Sequence, residues 1–417
     1  MLSEGDIEQE RNTMFFTVPG NYSQRSFTMN TATQKTAVTS LLASKVWWLS
    51  IAMIAAGVGA GIYALYAGHG EAFGNTREMS WGLTISVYAY FAVISTGLAL
   101  LSTFSRAWGG NKMGVMSSRM VWLSIFMLFG AFIVIGLELE NAWRMPVGVI
   151  LHPNFSSNIW WMGALYGVAV IVMMIEILLI LLRWYKTAVV IGVLGTITAA
   201  CATSNLGAVF ASLKSHPFWY GGQLPVFFLG SAVLSGAAAL LVMTALSYSI
   251  QRRRMSEDVR AAMTTGGKIM LLMCFFLLIA NAWKILNAYS GDYELIAAAR
   301  SLTEGPLAMN FWVVEIGIGL VAPLVLLIIT HLRLVSVMAF SGVLVLVGQF
   351  ISRFNMVVSG AIVPWDHGMV GVPTYLPYTP TPAEYLVVLA GFGVVGAGFI
   401  LGERFIDKTF MAEVSSH

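Results

Sequence analysis

The sequence predicts an all-α polytopic membrane protein: ten transmembrane helices forming two four-helix bundles related by an internal repeat, plus one helix at each end. Three observations carry this. Hydrophobic residues make up 58% of the 417 residues and Asp, Glu, Lys and Arg only 10%, against about 25% charged in an ordinary globular chain, too few to coat a water-facing surface. Mean hydropathy is +0.78. Ten apolar stretches are each long enough to cross a bilayer, and sequence patterns of the first half recur in the second.

A helix crossing about 30 Å of hydrocarbon needs roughly 20 mostly apolar residues. Such stretches, bounded by charge, Pro or Gly, run near 46–67, 80–104, 120–139, 160–182, 187–212, 223–249, 268–289, 310–330, 334–357 and 384–402. The polar residues before the first span show no charged n-region followed by an apolar h-region. No cleaved signal peptide is therefore expected, and the amino-terminal tail should stay where it is made. In span 1, Gly57 and Gly61 form a GxxxG spacing, read as helix packing.

Loops rich in Lys and Arg remain cytoplasmic. One set of alternate loops carries Arg106, Lys112, Arg119, Arg183, Lys186, Arg252, Arg253, Arg254, Arg260, Lys268 and Arg333. The tail adds Arg11, Arg25, Lys35 and Lys45, and the carboxy terminus Arg404 and Lys408. The opposite side holds Arg77, Arg144, Lys214, Lys284, Arg300 and Arg353. Both termini are predicted cytoplasmic. The longer loops at 140–159, 290–309 and 358–383 then face outward; rich in Pro, Tyr, Trp and Asn, they suit a docking surface.

The repeat is read from three ordered matches. ENAWR at 140–144 recurs as ANAWK at 280–284. WGLTISVYAYFAVISTGLALL from Trp81 aligns with YGGQLPVFFLGSAVLSGAAAL from Tyr220, pairing Gly82 with Gly221 and Gly97 with Gly236. Asn158-Ile159-Trp160 and Asn310-Phe311-Trp312 open the following spans. Each copy covers four spans, so both enter from one side and the pseudo-axis should run along the membrane normal. The expected organisation is a tail at 1–45, an extra helix and outer loop at 46–79, a first bundle at 80–222, a second at 223–357, an outer loop at 358–383, and helix 10 with its tail at 384–417.

Several chemistries are disfavoured. Cys201 and Cys274 lie in apolar runs, too few for a cysteine-ligated iron–sulfur cluster and poorly placed for zinc. His69, His152, His216, His331, His367 and His417 all lie at span ends, in loops or at the terminus, whereas an intramembrane haem needs ligands well inside. No GxxxxGK[ST] pattern occurs, and scattered basic residues giving a net charge of +3 make no nucleic-acid surface.

The remaining polar groups gather at the outer ends of the spans. In the first repeat these are Tyr88, Glu138, Glu140, Arg144, His152, Asn154 and Asn205; in the second, Lys284, Glu315, Arg353 and Asn355. Ionisable residues this close to hydrocarbon are costly and face a cavity or a partner; the plain alternative for any one is a structural ion pair or a snorkelling role. Their concentration points to a site that binds and protonates a polar headgroup. Glu176 stands apart in the inner half of span 4, with Arg183 about 10 Å along the helix. Its two readings are a hydrogen-bonded packing residue and a step in a proton relay from the cytoplasm.

These residues resemble the NrfD/PsrC family of membrane subunits of quinone-linked respiratory complexes. The likeness rests on WGLTISVYAYFAVISTGL, ELENAWRMPVGVILHPNFSSNIWWMGALYG, FWVVEIGIGLVAP, and GQFISRFNMVVSG followed by YLPYTPTPAEYLVVLAGFGVVG. Ten spans are similar to the larger subgroup, which includes the subunits of alternative complex III and of the menaquinone reductase of sulfate reducers. The resemblance implies a subunit with no haem or iron–sulfur cluster that binds menaquinone near the outer face, within the first bundle. Implied partners are a periplasmic iron–sulfur subunit, a molybdopterin-oxidoreductase-like subunit and a multihaem cytochrome c. Glu138, Glu140 and Arg144 fall on the family's acidic and Arg passage, His152 in its following loop, and Tyr88 where some members place a quinone contact. Where several relatives carry a His in span 5, this chain reads Ser204-Asn205, so that site's proton chemistry does not carry over directly.

The resulting expectation is quinone reduction supported by Glu138, Glu140 or His152 as proton donors, Arg144 and Tyr88 as headgroup contacts, and Glu176 and Glu315 as relay groups. Two rivals stand beside it: a secondary transporter and a purely structural anchor.

Overall fold

The computed structural model describes residues 45–107, 112–251, 254–365 and 373–409, with backbone alone at 112 and from 404 onward. The tail carrying Arg11, Arg25 and Lys35, the arginines 252 and 253, and His367 and His417 lie outside the described residues. Ten helices among the described residues are long and apolar enough to span a bilayer, and no strand occurs there. The chain is a multi-pass integral membrane protein.

The helices are α1 (Lys45–Ala67), the short α2 (His69–Ala72), α3 (Leu83–Ala107), α4 (Ser117–Glu138), α5 (Arg144–Leu151), α6 (Asn158–Leu181) and α7 (Tyr185–Ala211). They continue as α8 (Gln223–Ile250), α9 (Glu257–Tyr289), α10 (Tyr293–Thr303), a π-helix (Asn310–Val321) running into α11 (Ala322–Ile329), α12 (Val335–Ala361) and α13 (Pro382–Thr409). Helices α2, α5 and α10 lie in the long connections, which the alternation of spans gathers at one end of the molecule, the long-loop face.

The seventh span departs most from expectation: α9 has 33 residues and begins at Glu257, not near 268. Ser256 caps it by accepting from Val259 N at 3.4 Å, and Glu257 and Asp258 complement the positive helix end. At about 50 Å it exceeds the hydrocarbon thickness, so its first turns tolerate Thr, Gly and Lys.

Helices α3, α4, α6 and α7 close a ring of neighbours; α8, α9, the π-helix with α11, and α12 close the same ring in the same order. The rings join where α3 meets α8, flanked by α3 with α12 and α8 with α7. Gly97 and Gly236, aligned by the sequence repeat, meet at this seam: a Cβ added to Gly236 would lie 2.8 Å from Gly97 Cα, and one on Gly97 would lie 3.0 Å from Gly236 Cα.

Helices α1 and α13 pack on each other, and α13 packs on α4. Gly57 lets α1 press against Leu386 and Ala390 of α13, and Gly61 faces Leu137, a packing role for both glycines. At the short-loop end, Arg119 pairs with Glu403 at 3.1 Å, while Ser247 and Gln251 also donate to Glu403, tying α4, α8 and α13 together.

Candidate functional site

The start of α13 organises one end of the first bundle. Thr381-Pro382-Ala383-Glu384 forms a capping box: Glu384 Oε2 accepts from Thr381 N at 2.7 Å, and Thr381 Oγ1 accepts from Glu384 N at 3.3 Å. The same hydroxyl donates to Ala72 O at 2.8 Å, and Gly74 N donates to Glu384 Oε2 at 3.3 Å. Tyr378 donates to Glu384 Oε1 at 2.7 Å and accepts from Leu83 N at 2.7 Å, so one phenol joins α13 to the start of α3. Gly82 makes this possible, because a Cβ there would lie 2.6 Å from Tyr378 Cζ. Its sequence partner Gly221 is glycine for another reason, a φ of +118°. Burial, reinforced by the neighbouring Glu384 carboxyl, pushes the Tyr378 phenol well above the ordinary tyrosine range, which makes it a permanent donor.

This clamp sets the position of Glu138, the last residue of α4. Asn75 donates to Glu138 Oε1 at 3.0 Å, and Thr84 and Glu384 also act on its carboxyl. Glu138 Oε2 and His69 Nε2 are shielded from bulk water and have no hydrogen-bond partner. Both residues line a cavity of about 450 Å³, walled by Trp81, Ile85 and Ile135, with Glu140 at its rim. Trp81 is held by stacking on Trp219 at 5.3 Å between centroids, and Trp219 is fixed by donating to Met356 O at 2.7 Å. The lining divides between apolar side chains, Trp81, Ile85, Ile135 and Leu139, and polar ones, His69, Ser80, Glu138, Glu140 and Asn141, a mixture that suits a small amphipathic ligand.

A second polar cluster lies within the second bundle. Glu315, on the π-helix and 1% exposed, accepts from Ser352 Oγ at 2.8 Å and from Asn355 Nδ2 at 2.8 Å. Arg353 is equally buried, donates to Ser231, and lies over the Phe228 ring at 4.4 Å; its Nη1 has no partner. Lys284 lies among Phe218, Phe227 and Phe311, 5.3–6.0 Å from their centroids, and interacts electrostatically with Glu315. Runs of π-helix are rare and concentrate at functional sites. Arg353 also acts on Tyr166, whose hydroxyl bonds Thr203 Oγ1 at 2.8 Å; Thr203 donates to Thr96 at 2.7 Å.

The sequence-selected residues therefore separate. Glu138 and Glu140 share the cavity. Arg144 opens α5 with its guanidinium over Trp143 at 5.3 Å, and the exposed His152 follows the end of α5; neither lines the cavity. Asn205 donates to Asn158 O at 2.7 Å, fastening α7 to the start of α6. Tyr88 is buried edge-on against Tyr166 at 6.4 Å, which groups it with the tyrosine, threonine and arginine chain rather than with Glu138. Glu176 pairs with Arg106 at 2.6 Å, not with Arg183, which is exposed with a φ of 60°. Lys284, Glu315, Arg353 and Asn355 form one cluster.

The sequence does not single out His69, Asn75, Tyr378 or Glu384 as site residues. The T-x-x-E signature of a capping box announces the start of α13, but no local signal announces a contact between residues 310 positions apart, such as Gly74 with Glu384.

The fold and this pocket define a class: a polytopic, all-helical membrane protein with a cavity of mixed lining that brings acid and imidazole groups together at one face. The chain belongs to the NrfD family, described as polysulphide reductase, NrfD, which matches residues 71–364. That match spans both bundles and the cavity lining from Ser80 onward, and leaves His69, Tyr378, Glu384 and α13 outside it. The chain is similar to a selenate reductase subunit of Mesobacillus selenatarsenatis, 21% identical over 339 residues, 70% of this chain and 77% of that protein. It is similar to protein NrfD of Escherichia coli, 26% identical over 283 residues, 60% of this chain and 85% of that protein. It is also similar to a putative dimethyl sulfoxide reductase membrane subunit of Halobacterium salinarum, 23% identical over 348 residues, 75% of this chain and 77% of that protein.

Proposed function

We propose that this chain is the membrane subunit of a respiratory reductase complex, binding menaquinone in the Glu138 cavity and supporting its reduction by electrons from partner subunits. The similarity to subunits of selenate and dimethyl sulfoxide reductases favours a reductase subunit over a transporter. The observation that carries the site is that two buried, unpartnered atoms, Glu138 Oε2 and His69 Nε2, belong to residues lining one pocket beside Trp81, Ile85 and Ile135. These residues fit a quinone: its two carbonyl oxygens need polar partners, and its ring and tail need an apolar wall such as Trp81, Ile85 and Ile135.

Reduction of a quinone takes two electrons and two protons. Glu138 holds a proton at Oε2 for one quinone oxygen, and Asn75 fixes its carboxyl through Oε1. His69 holds or passes a proton at Nε2. Trp81 excludes water from one side. Electrons come from a docked iron–sulfur subunit, fed by a molybdopterin-oxidoreductase-like subunit and a multihaem cytochrome c. The surplus of Lys and Arg at the short-loop ends and in the tails supports an orientation with the long-loop face on the periplasmic side of the inner membrane and both termini in the cytoplasm. A route for protons from the cytoplasm begins at Glu176 and Arg106 and continues along the α3 and α7 seam through the Thr103 and Thr196 pair, 2.6 Å apart, toward Thr96, Thr203 and Tyr166. Glu315 extends the polar line beyond Arg353.

The test is quinone-dependent turnover of the assembled complex carrying Glu138→Gln or His69→Ala. Each should lose about 10²-fold or more with partner subunits still bound; wild-type turnover in both removes the site. A chain that purifies alone would favour a transporter, and an assembled complex without saturable quinone binding would leave only an anchor.

A further inference from the structure

A second cavity, larger than the one beside Glu138, lies in the other bundle. A cleft of about 630 Å³ opens between α8 and α9 at the long-loop face, walled by Phe218, Trp219, Phe227, Phe276 and Trp283, with Lys284 among its lining. Phe276 and Trp283 belong to a stripe of exposed apolar side chains on α9 that includes Leu272, Ile279 and Leu286, spaced three or four residues apart. Such a stripe on a spanning helix faces lipid, so the cleft opens sideways toward the bilayer.

The charges around it do not balance. Lys284 and Arg353 face a single carboxylate, Glu315, whose two oxygens are already taken by Ser352 and Asn355. Arg353 Nη1 is buried without an acceptor. Among the described residues Lys284 Nζ has ring faces around it and no acceptor within hydrogen-bond distance. Lys284 is half-buried: the ring faces partly stabilise its charge and Glu315 acts on it electrostatically, but no carboxylate among the described residues hydrogen-bonds to its Nζ.

We propose that this cleft binds an acidic phospholipid from the bilayer, with Lys284 Nζ pairing its phosphate, Asn287 and Gln223 at the headgroup, and its acyl chains along Phe276 and Trp283. The excess positive charge selects an anion over a neutral quinone, and the lipid-facing opening selects a membrane-borne phosphate over a soluble one. Basic pockets between transmembrane helices are suited to acidic headgroups. The site is separate from the Glu138 cavity: the stacked Trp81 and Trp219 form the wall between them, one ring lining each.

The test uses the complete complex in nanodiscs of phosphatidylcholine with or without phosphatidylglycerol, with bound phospholipid counted by native mass spectrometry after detergent exchange. Wild type should retain phosphatidylglycerol in preference to phosphatidylcholine, and millimolar inorganic phosphate should not displace it. Lys284→Gln should weaken retention about tenfold, the loss of one charged hydrogen bond, and Lys284→Arg should restore most of it. Ala280→Trp, which fills the cleft without altering its charge, should also expel the lipid and serves if the Gln variant fails to fold. Equal retention of both lipids by wild type, undiminished phosphatidylglycerol in Lys284→Gln or Ala280→Trp, displacement by inorganic phosphate, or menaquinone in place of phospholipid would overturn the assignment. Menaquinone in this cleft would also move the quinone site away from Glu138; the other outcomes leave turnover at Glu138 untouched.

Discussion

Gly97 and Gly236 touch across the seam between the two bundles, so the residues paired by the sequence repeat are also paired in space. A two-fold pseudo-axis brings equivalent positions face to face only where it passes between them, and α3 and α8 cross there with no room for a side chain. A Cβ on Gly97 would collide with the Ala232 carbonyl, which is backbone and cannot rotate away. Gly97→Ala should therefore lower stability by about 1–3 kcal/mol or more, and Gly97→Leu should separate the bundles. Thermal midpoints in detergent check this; an unchanged midpoint for Gly97→Ala would show that the seam yields.

The cavity geometry ranks the acidic and basic candidates. Glu140 stands at the rim, whereas His152 and Arg144 lie outside the lining. Turnover should fall strongly for Glu138→Gln, less for Glu140→Gln, and remain near wild type for His152→Ala. A deep loss in His152→Ala with intact assembly would move the site toward α5.

Tyr378 bridges Leu83 N and Glu384. Removing its hydroxyl leaves a buried amide and a carboxyl each short of a partner, so Tyr378→Phe should cost about 1–3 kcal/mol. Melting curves measure the loss, and quinone affinity should fall with it because the same clamp positions Glu138.

Glu176 and Arg106 form an ion pair with side chains 4% and 11% exposed. Breaking it from one side strands the other charge: Glu176→Ala should destabilise by about 3–5 kcal/mol. Glu176→Gln keeps a hydrogen bond to Arg106 and tests the relay. Membrane-potential generation by the complex should drop while quinone turnover in uncoupled membranes persists; an unaltered potential would reduce Glu176 to a packing residue.

His216 lies outside the spans, its Nδ1 2.8 Å from Gly360 O and its ring 4.5 Å from Trp219. Burial holds its pKa below the ordinary 6.5, partly offset by Gly360 and Glu294. The folded protein thus takes up the proton less readily than the unfolded chain. Its contribution is full above about pH 6.5 and declines as pH falls below that value. His216→Phe should flatten this acid-side fall in the thermal midpoint; an unaltered slope would show that other groups set it.

The ten spans, the repeat and the packing glycines are readable because lipid imposes local rules: a spanning helix must be continuously apolar, and close helix contacts need small residues. The extra length of α9 is not, because residues beyond the hydrocarbon need not be apolar. Within the site, Glu138 and Glu140 are legible as acids at a span end. The partner of Glu176 is hidden, because the nearest cation along its own helix, Arg183, points elsewhere while Arg106 arrives from α3.

By itself the sequence identified ten segments long and apolar enough to cross a membrane, patterns of its first half that recur in the second, and few charges gathered at helix ends. Only the tertiary structure decided which polar groups meet: Glu138 with Asn75 beside His69, Glu384 with Gly74 and Tyr378, and Lys284 and Arg353 around Glu315. The physical reason is that apolar periodicity reports what a segment buries, whereas a polar contact depends on which helices become neighbours, and that is fixed by packing among segments far apart in the chain.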